Sequence, residues 1–411
     1  MPHTFFLILA VQFISTLADN ALLIMAIARV MELNGPAWVI PVIKISFTAF
    51  YVLLAPVAGP LADAFPKGRV MLAANILKVC AVVSMVVGAD PWLMMIVAGL
   101  GAAIYAPAKY GLMTELLPPG DLVRANGFME TVTVCAVILG TAMGGLLISP
   151  VMPVWVLPGP SSGTPPSALL AGMVALVSMH LLATLLSIGV VDSGARYARH
   201  SIHPVELFQR FFRDSVRLWL DQVGGLSMAV TTLLWAVAAT LQLIVLRWAN
   251  EALELSLEQA AYLQVVTAIG VVVGAILASR YVRLEQVTRL LPIGILIGIL
   301  IPFMLAVKGV ACAVMLLIAV GVLAGFFVVP MNALLQHRGC QLLTAGRSIA
   351  VQGFNENAGM LLMLATYALG SAVHASLTAM VWVLAGMMSI GMTMIFIVFK
   401  MSNKNNQSVA Y

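Results

Sequence analysis

Charge is what this chain has least of. Asp, Glu, Lys and Arg make up 9% of its 411 residues, where a soluble domain carries about 25%. With 62% hydrophobic residues and a mean hydropathy of +1.05, there is too little polar surface to cover an apolar core in water, which excludes an ordinary soluble globule. Cysteine is also scarce. Cys80, Cys135 and Cys312 fall in apolar stretches and Cys340 in a polar break, with no CxxC pair, so neither a disulfide framework nor a zinc site is indicated. None of the six histidines belongs to an HExxH motif, and none has an Asp five positions later, as a membrane acyltransferase would require. No phosphate-binding or dinucleotide glycine motif occurs. Nothing therefore points to a metal, a cofactor or an enzyme. The N-terminus lacks a cationic leader, Asp19-Asn20 interrupts its apolar run and no cleavage site follows, so this segment reads as a span and not as a signal peptide.

What the chain does have is a succession of long apolar runs. A hydrocarbon layer of about 30 Å needs roughly 20 apolar residues per helix. Such runs lie near 5–28, 38–61, 70–88, 92–114, 123–148, 167–191, 225–248, 259–279, 288–307, 310–335, 347–371 and 377–399. The pattern predicts an all-α integral membrane protein with twelve transmembrane helices. Lys67, Arg69, Arg124, Arg196, Arg199, Arg210, Arg213, Arg217, Arg280, Arg283, Arg289, Arg338, Arg347, Lys400 and Lys404 fall on one side of these spans. The other side has Lys308, with Arg29 and Arg247 near span ends and an acidic break at Glu251, Glu254 and Glu258. The bias predicts cytoplasmic termini and explains the net charge of +5 without a nucleic-acid partner. The expected organisation is a six-helix half over 1–191, a cytoplasmic linker over 192–224, a second six-helix half over 225–400 and a cytoplasmic tail over 401–411. In the linker Phe208, Phe211, Phe212, Val216 and Trp219 recur at helical spacing opposite Arg210, Arg213, Asp214 and Arg217. Two readings stand: an amphipathic helix in the headgroup layer, or a helix tying the halves together. The Pro/Gly/Ser-rich stretch 149–166 predicts an irregular periplasmic loop.

The halves show traces of a repeat. Pro107-Ala108-Lys109 is followed by Asn126-Gly127-Phe128-Met129-Glu130, and Pro330-Met331-Asn332 by Gln352-Gly353-Phe354-Asn355-Glu356. The two prolines are 223 residues apart and the two glutamates 226. Duplication of a six-helix unit accounts for both offsets and makes the halves pseudo-symmetric.

The loop after the second span reads Gly59-Pro-Leu-Ala-Asp63-Ala-Phe-Pro-Lys67-Gly68-Arg69. It resembles the signature between helices two and three of the major facilitator superfamily, with about two extra residues between the Asp and the basic cluster. Further blocks are Asp19-Asn20-Ala-Leu-Leu, Pro107-Ala-Lys109-Tyr110-Gly111, Ala125-Asn126-Gly127, Met129-Glu130, Gly325-Phe-Phe-Val-Val-Pro330, Asn332-Ala-Leu-Leu-Gln336 and Glu356-Asn357. Together they resemble the bacterial lysophospholipid transporter (LplT) family of that superfamily over nearly the whole length. The resemblance implies the major facilitator fold and uptake of lysophosphatidylethanolamine and similar lipids across the inner membrane. It further implies a partner acyltransferase-synthetase that reacylates them on the cytoplasmic face. One departure is visible: members carry an arginine in helix seven where this chain has Gln242, and Arg247, five residues on, falls off that face.

Ionisable groups inside a membrane cost about 2.5–3.5 kcal/mol each on insertion scales unless paired or hydrated, so each one is informative. Asp19, with Asn20 beside it, lies near the middle of the first span. It is a candidate for headgroup binding or gating, the other reading being an ion pair that locks the halves together. Glu130 and Glu356 are candidates for the same task, or for a latch with Arg124 and Arg347. Lys109 either meets a phosphate as a point charge or snorkels to the interface. Lys44 and Lys78 are weaker candidates. Asn332, Gln336 and Gln352 add neutral hydrogen-bonding groups, and Gly59, Asp63, Lys67, Gly68 and Arg69 form a candidate conformational-switch loop. Gly140, Gly144 and Gly145 suit close helix packing, and the 25 methionines suit an adaptable apolar lining. Three functions fit these residues: a secondary lipid carrier, a proton-coupled exporter of hydrophobic compounds, and a receptor that no longer transports.

Overall fold

Regular structure in the described residues of the computed structural model (1–34, 39–149, 168–197 and 203–408) is entirely helical. Hydrocarbon offers no partner for backbone N–H and C=O groups, and only a helix satisfies them within one segment. In order, the helices are α1 (His3–Glu32), α2 (Val39–Leu53), α3 (Ala55–Ala64), α4 (Lys67–Val86), α5 (Pro91–Leu116), α6 (Leu122–Leu147) and α7 (Ala168–Ile188). There follow α8 (Pro204–Leu220), α9 (Gln222–Leu253), α10 (Leu257–Tyr281), α11 (Leu291–Leu300), α12 (Val310–Leu342), α13 (Ala345–Ala372) and α14 (Leu377–Ser408).

Ten of the described segments are long and apolar enough to cross a membrane, or eleven if the bent pair α2–α3 counts as one. The 66° bend there has a local cause: Pro56, at the start of α3, supplies no N–H and crowds the preceding turn. The 28 residues of α13 reach about 42 Å, but Gln352, Asn355, Glu356 and Asn357 dilute its apolar character. The count is thus consistent with the expected twelve. One expected span differs in kind. Around 288–307 the chain forms a 3₁₀ turn (Leu284–Leu290), α11, and a second 3₁₀ turn (Ile301–Ala306), because Pro292 and Pro302 each interrupt the α-helical ladder. Residues 401–408 continue α14. The 150–166 part of the expected periplasmic loop lies outside the described residues.

The chain forms two compact units. The first comprises Met1–Leu117, Val132–Phe211 and Thr344–Val351; the second comprises Pro118–Thr131, Phe212–Leu343 and Gln352–Tyr411. The opening turns of α6 therefore belong with the second unit, and those of α13 with the first. In the first unit Ala18, Leu22, Met25, Met85, Met94 and Met95 form a fully buried cluster. Gly140 and Gly144 let α6 touch α1: a Cβ at Gly140 would lie 2.4 Å from the Leu17 carbonyl oxygen, and one at Gly144 2.7 Å from Ile24 Cβ. Gly145 faces open space instead, so the packing role expected for it is not there. In the second unit α10 and α12 approach through Gly274 and Gly325, where a Cβ would stand 2.1 Å from the carbonyl oxygens of Val322 and Val271. Outward-facing Leu185, Ile188, Ile390 and Met394 are exposed, as suits a protein whose solvent is lipid.

Candidate functional site

A ladder of polar side chains runs through the apolar interior of the first unit. Gln12, Ser15 and Asp19 recur at helical spacing on one face of α1, while Asn75 and Lys78 share a face of α4. Lys78 Nζ, 1% exposed, donates to Asp19 Oδ2 at 2.5 Å and to Ser15 Oγ at 3.0 Å. Ser15 Oγ donates to Asn75 Oδ1 at 3.1 Å, and Asn75 Nδ2 to Ser187 Oγ at 2.9 Å. Asp19 thus pairs inside its own unit rather than locking two halves together. From α7, His180 brings Nε2 to 3.5 Å from Asp19 Oδ1. His180 Nδ1 lies 3.0 Å from the Leu176 carbonyl oxygen. That oxygen only accepts, so Nδ1 carries the hydrogen. Nε2 then faces the carboxylate with a lone pair unless the pair holds one further proton.

One turn beyond this ladder lies Lys109 of α5, buried rather than snorkelling. Its Nζ donates to Gln12 Oε1 at 2.9 Å and sits 4.0 Å from the centre of the Tyr110 ring. Gln12 passes the link on to Thr133 Oγ1 at 2.9 Å.

The third cluster of this unit gathers the loop after α3. Lys67 Nζ lies 3.2 Å from Asp63 Oδ1 and 2.6 Å from Glu115 Oε1, with the Tyr197 ring centre 4.8 Å away. Asp63 also accepts the N–H groups of Gly346 (2.9 Å) and Arg347 (3.2 Å) and the hydroxyl of Thr344. A carboxylate from α3 thereby caps the N-terminus of α13, where free N–H groups and the positive end of the helix dipole favour an anion. Gly59 and Gly346 make the approach feasible: a Cβ at Gly346 would lie 2.7 Å from Asp63 Oδ1, and one at Gly59 2.9 Å from Arg347 Cα. Gly68 seats α4 against the Val190 carbonyl, 2.5 Å from where its Cβ would be. Arg69 is exposed and joins none of the contacts described here.

The second unit has its own polar group. Gln352 Nε2 donates to Glu356 Oε1 at 2.8 Å and to Asn332 Oδ1 at 3.1 Å. Asn126 and Gln336 exchange side-chain hydrogen bonds of 2.8 and 3.1 Å. Glu356 thus accepts from the neutral Gln352 amide, and the Arg124 guanidinium lies 5.7 Å from the Phe128 ring centre. Glu130 is buried in the first part of α6. Asn20 turns back to its own helix, donating to the Thr16 carbonyl at 2.8 Å. The side chain of Lys44 lies outside the described residues.

The residues that sequence reasoning passed over are Gln12, Ser15, Asn75 and His180. Two signals were available for them: the polar stripe at 12, 15 and 19, and a histidine alone inside an apolar span. No group of three or more His, Cys, Asp or Glu side chains among the described residues is arranged to hold a metal ion.

Comparison with known proteins places this geometry in context. Over residues 8–362 the chain matches the family model of the Major Facilitator Superfamily. It is 37% identical over 363 residues to proteins named lysophospholipid transporter LplT from Yersinia pestis (strain Pestoides F) and Yersinia pseudotuberculosis serotype IB (strain PB1/+). Each match covers 88% of this chain and 85% of the relative. Among solved structures, a single-residue variant of the Escherichia coli fucose:proton symporter FucP superposes with a TM-score of 0.73 at 13% identity, covering 97% of this chain and 98% of that one. A bacterial homologue of the iron transporter ferroportin, in an outward-facing state, gives 0.71 at 13% identity, with 97% and 100% covered. At such identities the structures speak for the fold alone. Multi-pass architecture, family match and relatives matched over most of their length agree: the chain belongs to the Major Facilitator Superfamily and, within it, to the family of the LplT lysophospholipid transporters.

Proposed function

We propose that the protein carries lysophospholipids, lysophosphatidylethanolamine among them, across the bacterial inner membrane. An acyltransferase-synthetase on the cytoplasmic face reacylates what it delivers. The observation that carries the reading is that each unit holds its own set of charged and amide side chains, buried or half-buried, among apolar helices. Asp19, Lys78, His180 and Lys109 lie in one, and Glu356, Gln352 and Asn332 in the other. A zwitterionic headgroup needs both signs of charge: lysines for its phosphate and carboxylates for its amine. The Met-rich apolar interior suits the acyl chain. The bias of Lys and Arg in the connecting segments supports cytoplasmic termini. The exposed stripe Phe208, Phe212, Val216 and Trp219 on α8 suits a helix lying in the headgroup layer between two six-helix halves.

His180 favours a second reading, a proton-coupled exporter of hydrophobic compounds, because the Asp19–His180 contact is satisfied only by an added proton. One experiment separates the two. Purified protein in proteoliposomes is given labelled lysophosphatidylethanolamine with and without an ionophore, beside a lipophilic cation under an imposed pH gradient. Lysolipid uptake above protein-free vesicles supports the carrier. Cation efflux without lysolipid movement supports the exporter and refutes the carrier.

A further inference from the structure

In the second unit α9, α13 and α14 enclose a narrow cavity of about 160 Å³, lined chiefly by Ile244, Met363, Tyr367, Gly370, Met380 and Leu384. The hydroxyls of Thr240 and Thr366, which also line it, are spent on their own helices. They donate to the Ala236 carbonyl at 3.1 Å and to the Leu362 carbonyl at 2.9 Å. Neither hydroxyl proton is therefore left to donate to a polar occupant. The space is glycine-dependent, since a Cβ at Gly370 would lie 2.9 Å from Met380 Cε. Val383 and Met387 line it too and are exposed on α14, so it opens sideways toward lipid.

A cation stands at one end. Arg247 Nη1 donates to the Ala375 carbonyl at 3.3 Å and lies 3.3 Å from Met380 Sδ, both residues of the lining, while Nε donates to Glu251 Oε1 at 2.6 Å. Among the described residues Nη2 has no hydrogen-bond partner, and the side chain is 29% exposed. The level is informative. Arg247 is six residues from the end of α9 at Leu253, about 9 Å along the axis. Ala375 lies in the turn between α13 and α14. Cation and mouth are both near the helix ends, where headgroups reside. From there the slot follows α14 as far as Met387, ten residues past Leu377, about 15 Å inward. A cavity of about 150 Å³ holds benzene, so this one takes a segment of a single chain.

We propose that this slot is a membrane-facing docking subsite for a single-chain phospholipid, with the phosphate on Arg247 and the first part of the acyl chain between α9, α13 and α14. The inference rests on the lysophospholipid reading and adds to it a place where the substrate is held before it reaches the buried charges. It also gives Arg247 a role distinct from that of the expected helix-seven arginine, whose position Gln242 occupies on an exposed face.

The test uses the full chain, with two variants at exposed or half-exposed positions: Arg247→Gln, which removes the cation, and Val383→Trp, which fills the slot from its open side. In proteoliposomes, half-saturation for 16-carbon lysophosphatidylethanolamine rises about five- to tenfold in both variants with the maximal rate retained. For glycerophosphoethanolamine, which keeps the headgroup but has no acyl chain, Arg247→Gln weakens competition against the 16-carbon substrate to the same extent, whereas Val383→Trp changes it less than twofold. Half-saturation within twofold of the wild type in both variants, or loss of maximal rate alone, overturns the proposal. Direct binding of 16-carbon lysophosphatidylethanolamine to detergent-purified protein keeps the two readings apart. If the wild type transports no lysolipid yet binds it, and both variants bind about five- to tenfold more weakly, transport fails and the subsite stands. If the wild type transports and all three proteins bind equally, only the subsite fails.

Discussion

Replacing Asp19 by Asn leaves the Lys78 ammonium, 1% exposed, with neutral acceptors only, Ser15 Oγ and the new amide oxygen. Removing one member of a buried ion pair costs about 3–5 kcal/mol, because the remaining charge is stranded where water cannot reach it. Lys78→Met strands the carboxylate instead. It should cost less, since Asp19 is 14% exposed and His180 stands 3.5 Å away to share a proton. The double variant Asp19→Asn/Lys78→Met removes both charges and should recover most of the loss, leaving a deficit of about 1 kcal/mol for the Ser15 and Asn75 hydrogen bonds it disturbs. Thermal unfolding of the four proteins in one detergent measures the cycle, and lysolipid uptake by the same four completes it. If Asp19 receives the headgroup amine, the double variant is stable but does not transport; if the pair is only a structural strut, it does both. A double variant no more stable than the worse single one would refute the reasoning, since it would mean the two charges are not coupled.

Further outcomes follow from other contacts. Asp63→Ala removes the acceptor for three donors at the start of α13, a loss of about 1–2 kcal/mol. Amide exchange over 344–351 should accelerate, and unchanged protection would contradict the capping role. Gly325→Leu drives a side chain into the Val271 carbonyl, 2.1 Å from the Cβ position, and should cost about 1–3 kcal/mol or more, read as a lower unfolding temperature. The Asp221 carboxyl, outside the spans, is held below its ordinary value first by the hydrogen bond from Arg338 and then by the N–H groups of Gly224 and Val223. A depressed carboxyl contributes stability that is complete above its unfolded value and lost as pH falls through its folded one. The unfolding temperature of Asp221→Asn should therefore approach that of the wild type as the pH is lowered below the usual carboxylate range. A gap that stays constant with pH would contradict this.

Much of the site was legible in the sequence as a set of costs. Asp19, Lys109 and Glu356 stand out because each is an ionisable group in an apolar run. What the sequence could not state is their pairing. Asp19 and Lys78 are 59 residues apart, and Asp63 and Gly346 are 283 apart; no local period connects them. The polar stripe of α1 was readable and went unread, and so did His180, a lone imidazole among leucines. Gly144 and Gly145 show the same limit on a smaller scale. They are adjacent and identical, yet one meets Ile24 and the other meets nothing.

Composition and periodicity alone settled that the chain is a bundle of membrane helices, because a segment surrounded by hydrocarbon must satisfy its own backbone and show an apolar surface, and both demands are local. Which buried charges neutralise one another, which glycines are contacts, and that Arg247 sits at the mouth of an apolar slot were decided only when the helices packed. Those relations depend on distances of a few ångströms between segments that the chain order leaves far apart.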